Sequence, residues 1–247
     1  MKYSKAIQVG LAGLLYFALG FFILGQVSDN LDFTYFKMNY MQLVKAAGLT
    51  LALSLAATFS SMVLGFMLFL LMEARNVFLK TLASIYKEII MGTPLLVLVF
   101  VVVYIIGLAL GIRDKVFLGF LALTLYMSPY MANSFSSVYR TLDRNQFIVM
   151  DFYGFKAYQK YVYVILPQMF KPMIPGLLNN LSGIIKGTSI LSTIAISEIF
   201  YTSQVLSNQS YRYQEGYFIL WLVYLLITVP LSQVAQYISS RGTRYGN

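Results

Sequence analysis

The residues able to do chemistry in this chain are few, and most of them interrupt apolar sequence. Lys186, Thr188, Ser189 and Glu198 lie within the apolar stretch 173–201. Ionisable groups at membrane depth are costly to keep, and they mark solute or ion pathways. Lys186 can attract an anionic group. Thr188, Ser189 and the backbone freed at a helix break can hold a carboxylate. Tyr130, which follows Pro129, is a further candidate for lining a pathway. Lys186 and Glu198 stand about 18 Å apart on a straight helix, so they pair only if the chain bends. Each candidate also has a structural use. Lys186 and Glu198 could satisfy backbone or neighbouring-helix groups at the interface, and Tyr130 could simply pack. Glu88 suits a structural ion pair near the inner boundary, with Arg140 or with Lys87 of the partner subunit.

What is missing narrows the chemistry further. The chain has no His and no Cys. The commonest general base and metal ligand is therefore absent, and so are disulfides and thiolate metal sites. The segment Gly183-Ile-Ile-Lys-Gly-Thr-Ser189 has its lysine before the glycine, inside apolar sequence, so it is not a phosphate-cradling loop. Any ATP used must be bound by another chain. An intramembrane enzyme would lack catalytic pairs.

These groups must be positioned by helices in lipid. The 247 residues are 59% hydrophobic and 11% charged, and mean hydropathy is +0.71. Soluble domains carry about 25% charged residues. The expectation is an all-α polytopic membrane protein with about six transmembrane helices. The net charge of +9 reflects membrane orientation rather than nucleic-acid binding, because the basic residues flank apolar spans.

Read in order, 6–25 is a retained first span rather than a cleaved signal, being long enough to cross. Residues 26–42, with Asp29, Asp32, Phe33, Tyr35, Phe36 and Tyr40, form an outside segment on the interface. The second span, 43–72, repeats small residues four apart at Ala57, Ser61 and Gly65, which lets helices approach closely. The third, 81–111, should kink at Pro94. The fourth, 116–139, is interrupted at Ser128-Pro129-Tyr130. The fifth, 173–201, should break near Gly187. Residues 202–216 form an outside loop, and 217–238 is the sixth span. This topology places about two thirds of the 18 basic residues inside, with both termini cytoplasmic.

The longest polar segment, 140–175, falls on the cytoplasmic side and is too long for a simple turn. Residues 145–155 read as a short helix stopped by Gly154, and 156–166 as a second helix ended by Pro167. Phe147, Phe152, Tyr153, Phe155 and Tyr158 give it more exposed aromatic surface than a solvated loop needs, as a docking element for a soluble partner would have. An amphipathic loop lying on the membrane is the alternative.

Four stretches, in order, resemble the membrane-spanning permease subunit of bacterial ABC importers of the polar amino acid uptake family. They are Gly48-Leu-Thr-Leu-Ala-Leu-Ser54, Glu88-Ile-Ile-Met-Gly-Thr-Pro-Leu-Leu96, Gln146 through Gly154 to Leu166-Pro167-Gln168, and Lys186-Gly-Thr-Ser-Ile190 with Ile196-Ser-Glu198. The resemblance covers about 43–240. It implies a permease core there, preceded by a transmembrane helix and extracytoplasmic segment at 1–42 and followed by a cytoplasmic tail at 241–247. It implies a coupling loop at 140–172, in which Gln146, Ile148, Asp151, Phe152, Gly154 and Phe155 meet an ATPase. It also implies ATP-binding subunits carrying ATP and Mg, a second permease subunit, and an extracytoplasmic amino-acid-binding protein, all at a bacterial inner membrane. The chain departs from the family where Ile148-Val149-Met150 replaces Glu-Ala-Ala and where Met91 replaces Arg. A stand-alone secondary transporter is the competing reading. It would show related halves and a coupling carboxylate, and no internal repeat is found.

Overall fold

The computed structural model describes residues 2–27 and 31–242, and no strand occurs among them. Asp29, Arg244 and the tail 243–247 lie outside the described residues. The helices are α1 (Lys2–Val27), α2 (Thr34–Met38), α3 (Tyr40–Met72), α4 (Val77–Gly92), α5 (Leu95–Ala109), α6 (Lys115–Tyr139), α7 (Asn145–Phe152), α8 (Ala157–Ile194), α9 (Ile199–Ser210) and α10 (Tyr213–Gly242).

Three helices, α3, α6 and α10 (as Tyr213–Ser239), are long and apolar enough to cross a membrane. The pairs α4–α5 and α8–α9 raise that to five if each bent pair counts as one span. The 26-residue α1, where a sixth span is expected, contributes a shorter apolar stretch, Gly13–Phe22, and is not counted among the five.

The centre of the bundle is the crossing of α3 and α6. The small-residue row works as anticipated: Ala57 and Ser61 are buried, and Gly65 lies against α6. A Cβ at Gly65 would sit 2.5 Å from Met131 Cβ and 2.7 Å from the Ser128 carbonyl. The axes come this close because no side chain separates them. Phe69, Met131, Ile184 and Leu191 fill the surrounding core.

Prolines account for most departures from the sequence-based expectations. Pro94 makes a corner rather than a kink, and α4 and α5 differ by 109°. The residue before a proline is pushed out of the helical region. Thr93 is accordingly extended (φ −99°, ψ 126°), as is Pro94 (φ −58°, ψ 140°), so two successive residues leave the helix. Pro129 does the opposite, since α6 runs through it unbroken. The carbonyl it deprives of a partner, that of Leu125, accepts instead from the Ser128 hydroxyl (2.9 Å) and the Tyr86 hydroxyl (3.1 Å). Pro167 does not end its helix either. A wider π-helical stretch, Lys160–Ile165, precedes it and carries α8 past the missing donor.

The break expected near Gly187 falls a little later. From Thr188 to Ile194 the helix tightens to a 3-10 winding. Thr188, Ser189, Ser192 and Thr193 each donate to the carbonyl three residues back, at 2.6–2.7 Å. Such hydroxyls compete with the backbone ladder. The chain then turns 51° through Ala195, which is left-handed (φ 61°), into α9. The expected outside loop at 202–216 is thus mostly helical.

At the far end of the bundle, residues 31–38 dock on the α9–α10 corner. The Asp32 amide donates to Glu215 Oε1 (2.9 Å), and Arg212 pairs with Asp32 (2.7 Å) and Glu215 (3.5 Å). Phe36 is buried there and Phe33 packs on Phe218.

Candidate functional sites

The polar segment 140–160 folds as a capped helix tied to the bundle. Asp143 accepts the Asn145 amide (2.9 Å) at the start of α7. At its end, the Gly154 amide donates to the Asp151 carbonyl (3.0 Å), and the Phe155 amide reaches back to the Met150 carbonyl (2.9 Å). Gly154 is left-handed (φ 69°), so this is a Schellman cap, which suits glycine because no Cβ opposes that conformation. An ion pair between Lys160 and Asp151 ties the start of α8 to α7. The same lysine, by its hydrogen bond and its charge, holds the Asp151 carboxyl below the ordinary aspartate value. Gln168 Nε2 donates to Gln146 Oε1 (2.9 Å), fastening the base of α7 to α8.

Aromatic rings connect this unit to the membrane core. Tyr139 at the end of α6 packs edge-on against Phe69 of α3 and Phe147 of α7, and is nearly parallel to Tyr161 of α8. The Arg144 guanidinium lies 5.8 Å from the centres of both the Tyr139 and Phe147 rings. Phe147 is therefore part of the inner cluster and not of the outer surface, contrary to the sequence reading. Met150 is buried with it. On the outer side, Ile148 (69%), Phe152 (86%), Tyr153 (72%) and Tyr158 (58%) are exposed, and Phe155 is less so. Apolar rings held out on a capped helix form a surface that another protein can cover.

The second region is a cleft between α8, α9 and α10. It is lined by Lys186, Ser189, Phe200, Tyr217, Leu220, Trp221 and Tyr224, with a volume near 320 Å³. Of the five residues anticipated for a pathway, two line it, Lys186 and Ser189. The Lys186 side chain is exposed and has no acidic partner among the described residues. Thr188 is buried, with its hydroxyl on the Ile185 carbonyl (2.7 Å). Tyr130 is not part of this lining and packs on Tyr126.

Glu198 does not pair with Lys186 even though the chain bends. It is fully buried and caps α9, accepting the Tyr201 amide at 2.7 Å. Thr50 of α3 assists by accepting the Ile199 amide (3.1 Å). The second Glu198 oxygen and the Tyr224 hydroxyl are buried beside one another and interact, and Tyr224 also faces Thr188 and Ser189. Tyr224 thus bridges the buried carboxylate and the open cleft. Sequence reading missed Tyr224, Tyr217 and Trp221, because aromatic residues in an apolar span look like packing. Trp221, the only tryptophan, was the one available signal. Glu88 makes no ion pair within the chain among the described residues, so the contact expected with Arg140 is absent.

Residues 61–244 match the family described as binding-protein-dependent transport system inner membrane component. The chain is 31% identical over 164 residues to a probable glutamine ABC transporter permease of Bacillus subtilis, covering 66% of this chain and 76% of that protein. It is 30% identical over 208 residues to a probable amino-acid ABC transporter permease of Vibrio harveyi, covering 81% and 93%. The fold is similar to a chain in the crystal structure of an amino acid ABC transporter with histidines. There the TM-score is 0.76 at 25% identity, over 86% of this chain and 99% of that one. It is also similar, at 14% identity and TM-score 0.66, to a chain of the MetNI methionine ABC transporter in an inward-facing conformation, over 80% and 96%. The sequence motifs, the α3–α6 crossing, the capped α7 and these similarities converge: the chain is a permease subunit of an ABC importer and belongs to the binding-protein-dependent transport system inner membrane component family.

Proposed function

We propose that this permease pairs with a second permease subunit to form the pathway for a polar amino acid in a bacterial inner membrane. An extracytoplasmic binding protein delivers the solute, and separate subunits binding ATP and Mg drive its passage. The amino-acid cargo rests on the names of the relatives. Both termini are cytoplasmic in this reading, which follows from the distribution of basic residues. The core spans 43–240, between an N-terminal helix with its extracytoplasmic segment and a short tail.

The observation that carries the reading is the construction of α7. It presents Ile148, Phe152 and Tyr153 outward while Tyr139, Phe147 and Tyr161 join it to three membrane helices. A loop with no partner has no use for a Schellman cap, an ion-pair tie and a row of exposed rings together. Closure of the ATP-binding subunits moves α7, and the aromatic cluster passes that motion to α3, α6 and α8. Gln146, Asp151, Gly154 and Phe155 hold the shape of the element, and Ile148 and Phe152 make the contact. In the cleft, Lys186 attracts the solute carboxylate, and Ser189 lines the wall beside it with its hydroxyl held on the Lys186 carbonyl. Thr188 and Glu198 support that wall from behind, and Tyr130 stays a packing residue of α6.

Co-purification with candidate ATP-binding subunits tests this, using wild type beside Phe152→Asp. A complex with wild type that is lost with Phe152→Asp, and ATPase activity present only in the complex, is the expected result. Solute uptake by the wild-type chain alone in liposomes, driven by an ion gradient, would replace the proposal with a secondary transporter.

A further inference from the structure

A second cavity, unconnected with the solute cleft, opens beside the coupling element. It is lined by Met72, Lys87, Asn133, Ser136, Ser137 and Arg140 and holds about 280 Å³. Met72 is the last residue of α3, and Arg140 directly follows α6. The cavity therefore lies at the end of the bundle where the polar segment begins.

Its chemistry is one-sided. Two basic side chains face it, with two hydroxyls and a side-chain amide, and no acidic residue lines it. Neither Lys87 nor Arg140 has an acidic partner among the described residues. Glu73 and Glu88, next in sequence to Met72 and Lys87, are exposed and outside the lining. The Ser136 side chain is only 7% exposed, and its hydroxyl has no hydrogen-bond partner. Asn133 Nδ2 has only the Met91 sulfur, at 3.7 Å, a weak acceptor. Buried donors are normally satisfied, so a donor left open beside two unpaired cations points to an absent anion.

We propose that this cavity binds a phosphate group. Arg140 and Lys87 neutralise its charge, and Ser136, Ser137 and Asn133 donate to its oxygens. Basic pockets between helices at the cytoplasmic boundary suit anionic lipid headgroups, so a phospholipid of the inner leaflet is the nearer source and free phosphate the other. Bound there, the phosphate joins α3, α4 and α6 at the root of α7. Only the choice of leaflet depends on the orientation proposed above.

Native mass spectrometry of the full chain in detergent tests this. Dioctanoyl phosphatidylglycerol, dioctanoyl phosphatidylcholine and inorganic phosphate are each titrated against wild type, Lys87→Gln/Arg140→Gln and Asn133→Asp. Wild type is expected to bind phosphatidylglycerol about tenfold more tightly than either variant does, and more tightly than it binds phosphatidylcholine. Asn133→Asp keeps the side-chain shape and both cations, so it remains informative if the double variant does not fold. Displacement of the lipid by inorganic phosphate at equal concentration supports the site and assigns it to the soluble anion. Equal binding of both lipids with no effect of phosphate, or variants that match wild type, overturns the proposal. Neither overturning result touches the transport reading, because no ATP-binding subunit is present.

Discussion

Replacing Gly154 by alanine isolates the contribution of one backbone conformation to coupling. The residue is left-handed (φ 69°), and a Cβ there would meet nothing within 4 Å. Steric conflict with neighbours is thereby excluded, and only the intrinsic cost of the left-handed region remains, about 1–2 kcal/mol for a residue with a Cβ. That cost falls on the capped form of α7 and its exposed rings. A helix of eight residues is marginal on its own, so the competent fraction drops by up to about five- to thirtyfold, and affinity for the ATP-binding subunit drops with it. Asparagine enters the left-handed region more readily, so Gly154→Asn should lose less than about threefold. The assay is binding of the purified ATP-binding subunit to detergent-solubilised wild type, Gly154→Ala and Gly154→Asn. Equal weakening by Ala and Asn would refute the conformational argument, as would no weakening by either.

Other expectations follow from the same structure. Gly65→Val should abolish stable folding, and Gly65→Ala should cost about 1–3 kcal/mol, read as a lower melting temperature in detergent, because the added Cβ collides with Met131 and the Ser128 carbonyl. The Asp151 carboxyl titrates below the ordinary 3.8 in the folded chain, so its contribution is complete above that value and disappears as pH falls through the lowered one. Amide exchange in α7 should accordingly be insensitive to this pair between pH 5 and 7 (about the physiological range), rise below the aspartate range, and lose that rise in Asp151→Asn. Lys186→Gln should reduce solute-stimulated ATPase about tenfold at unchanged complex formation, since the lysine lines the cleft far from α7 in sequence. Glu198→Ala should lower stability by about 1 kcal/mol through loss of the α9 cap, whereas Glu198→Gln, which keeps an acceptor, should retain most of it.

Features governed by local rules were readable from the sequence. Gly154 after an apolar-polar helix announces a left-handed stop whatever surrounds it, and Ala57, Ser61 and Gly65 announce a close crossing. Apolar length alone revealed the membrane class. The prolines show where such reading fails. Pro129 and Pro94 have the same local chemistry, yet one is absorbed and the other makes a corner. At Pro129 the freed carbonyl is met by the local Ser128 hydroxyl and by that of Tyr86, a residue 39 positions away, and only the first could be read locally. Glu198 and Lys186 were identified as significant, but their separation depended on where the 3-10 winding ended. Tyr224 gained its place in the cleft only through the packing of α10 on α8.

The contact among Asp32, Arg212 and Glu215 has a consequence for how the protein is made. Its partners are separated by as many as 183 residues, so it forms only after nearly the whole chain has left the ribosome. Residues 31–38 must wait outside the membrane with their charged and aromatic groups unfastened, while α3 to α9 are inserted. The arrival of Arg212 ahead of α10 then closes the assembly. In any chain ending before Arg212, Asp32 therefore has neither of these two partners.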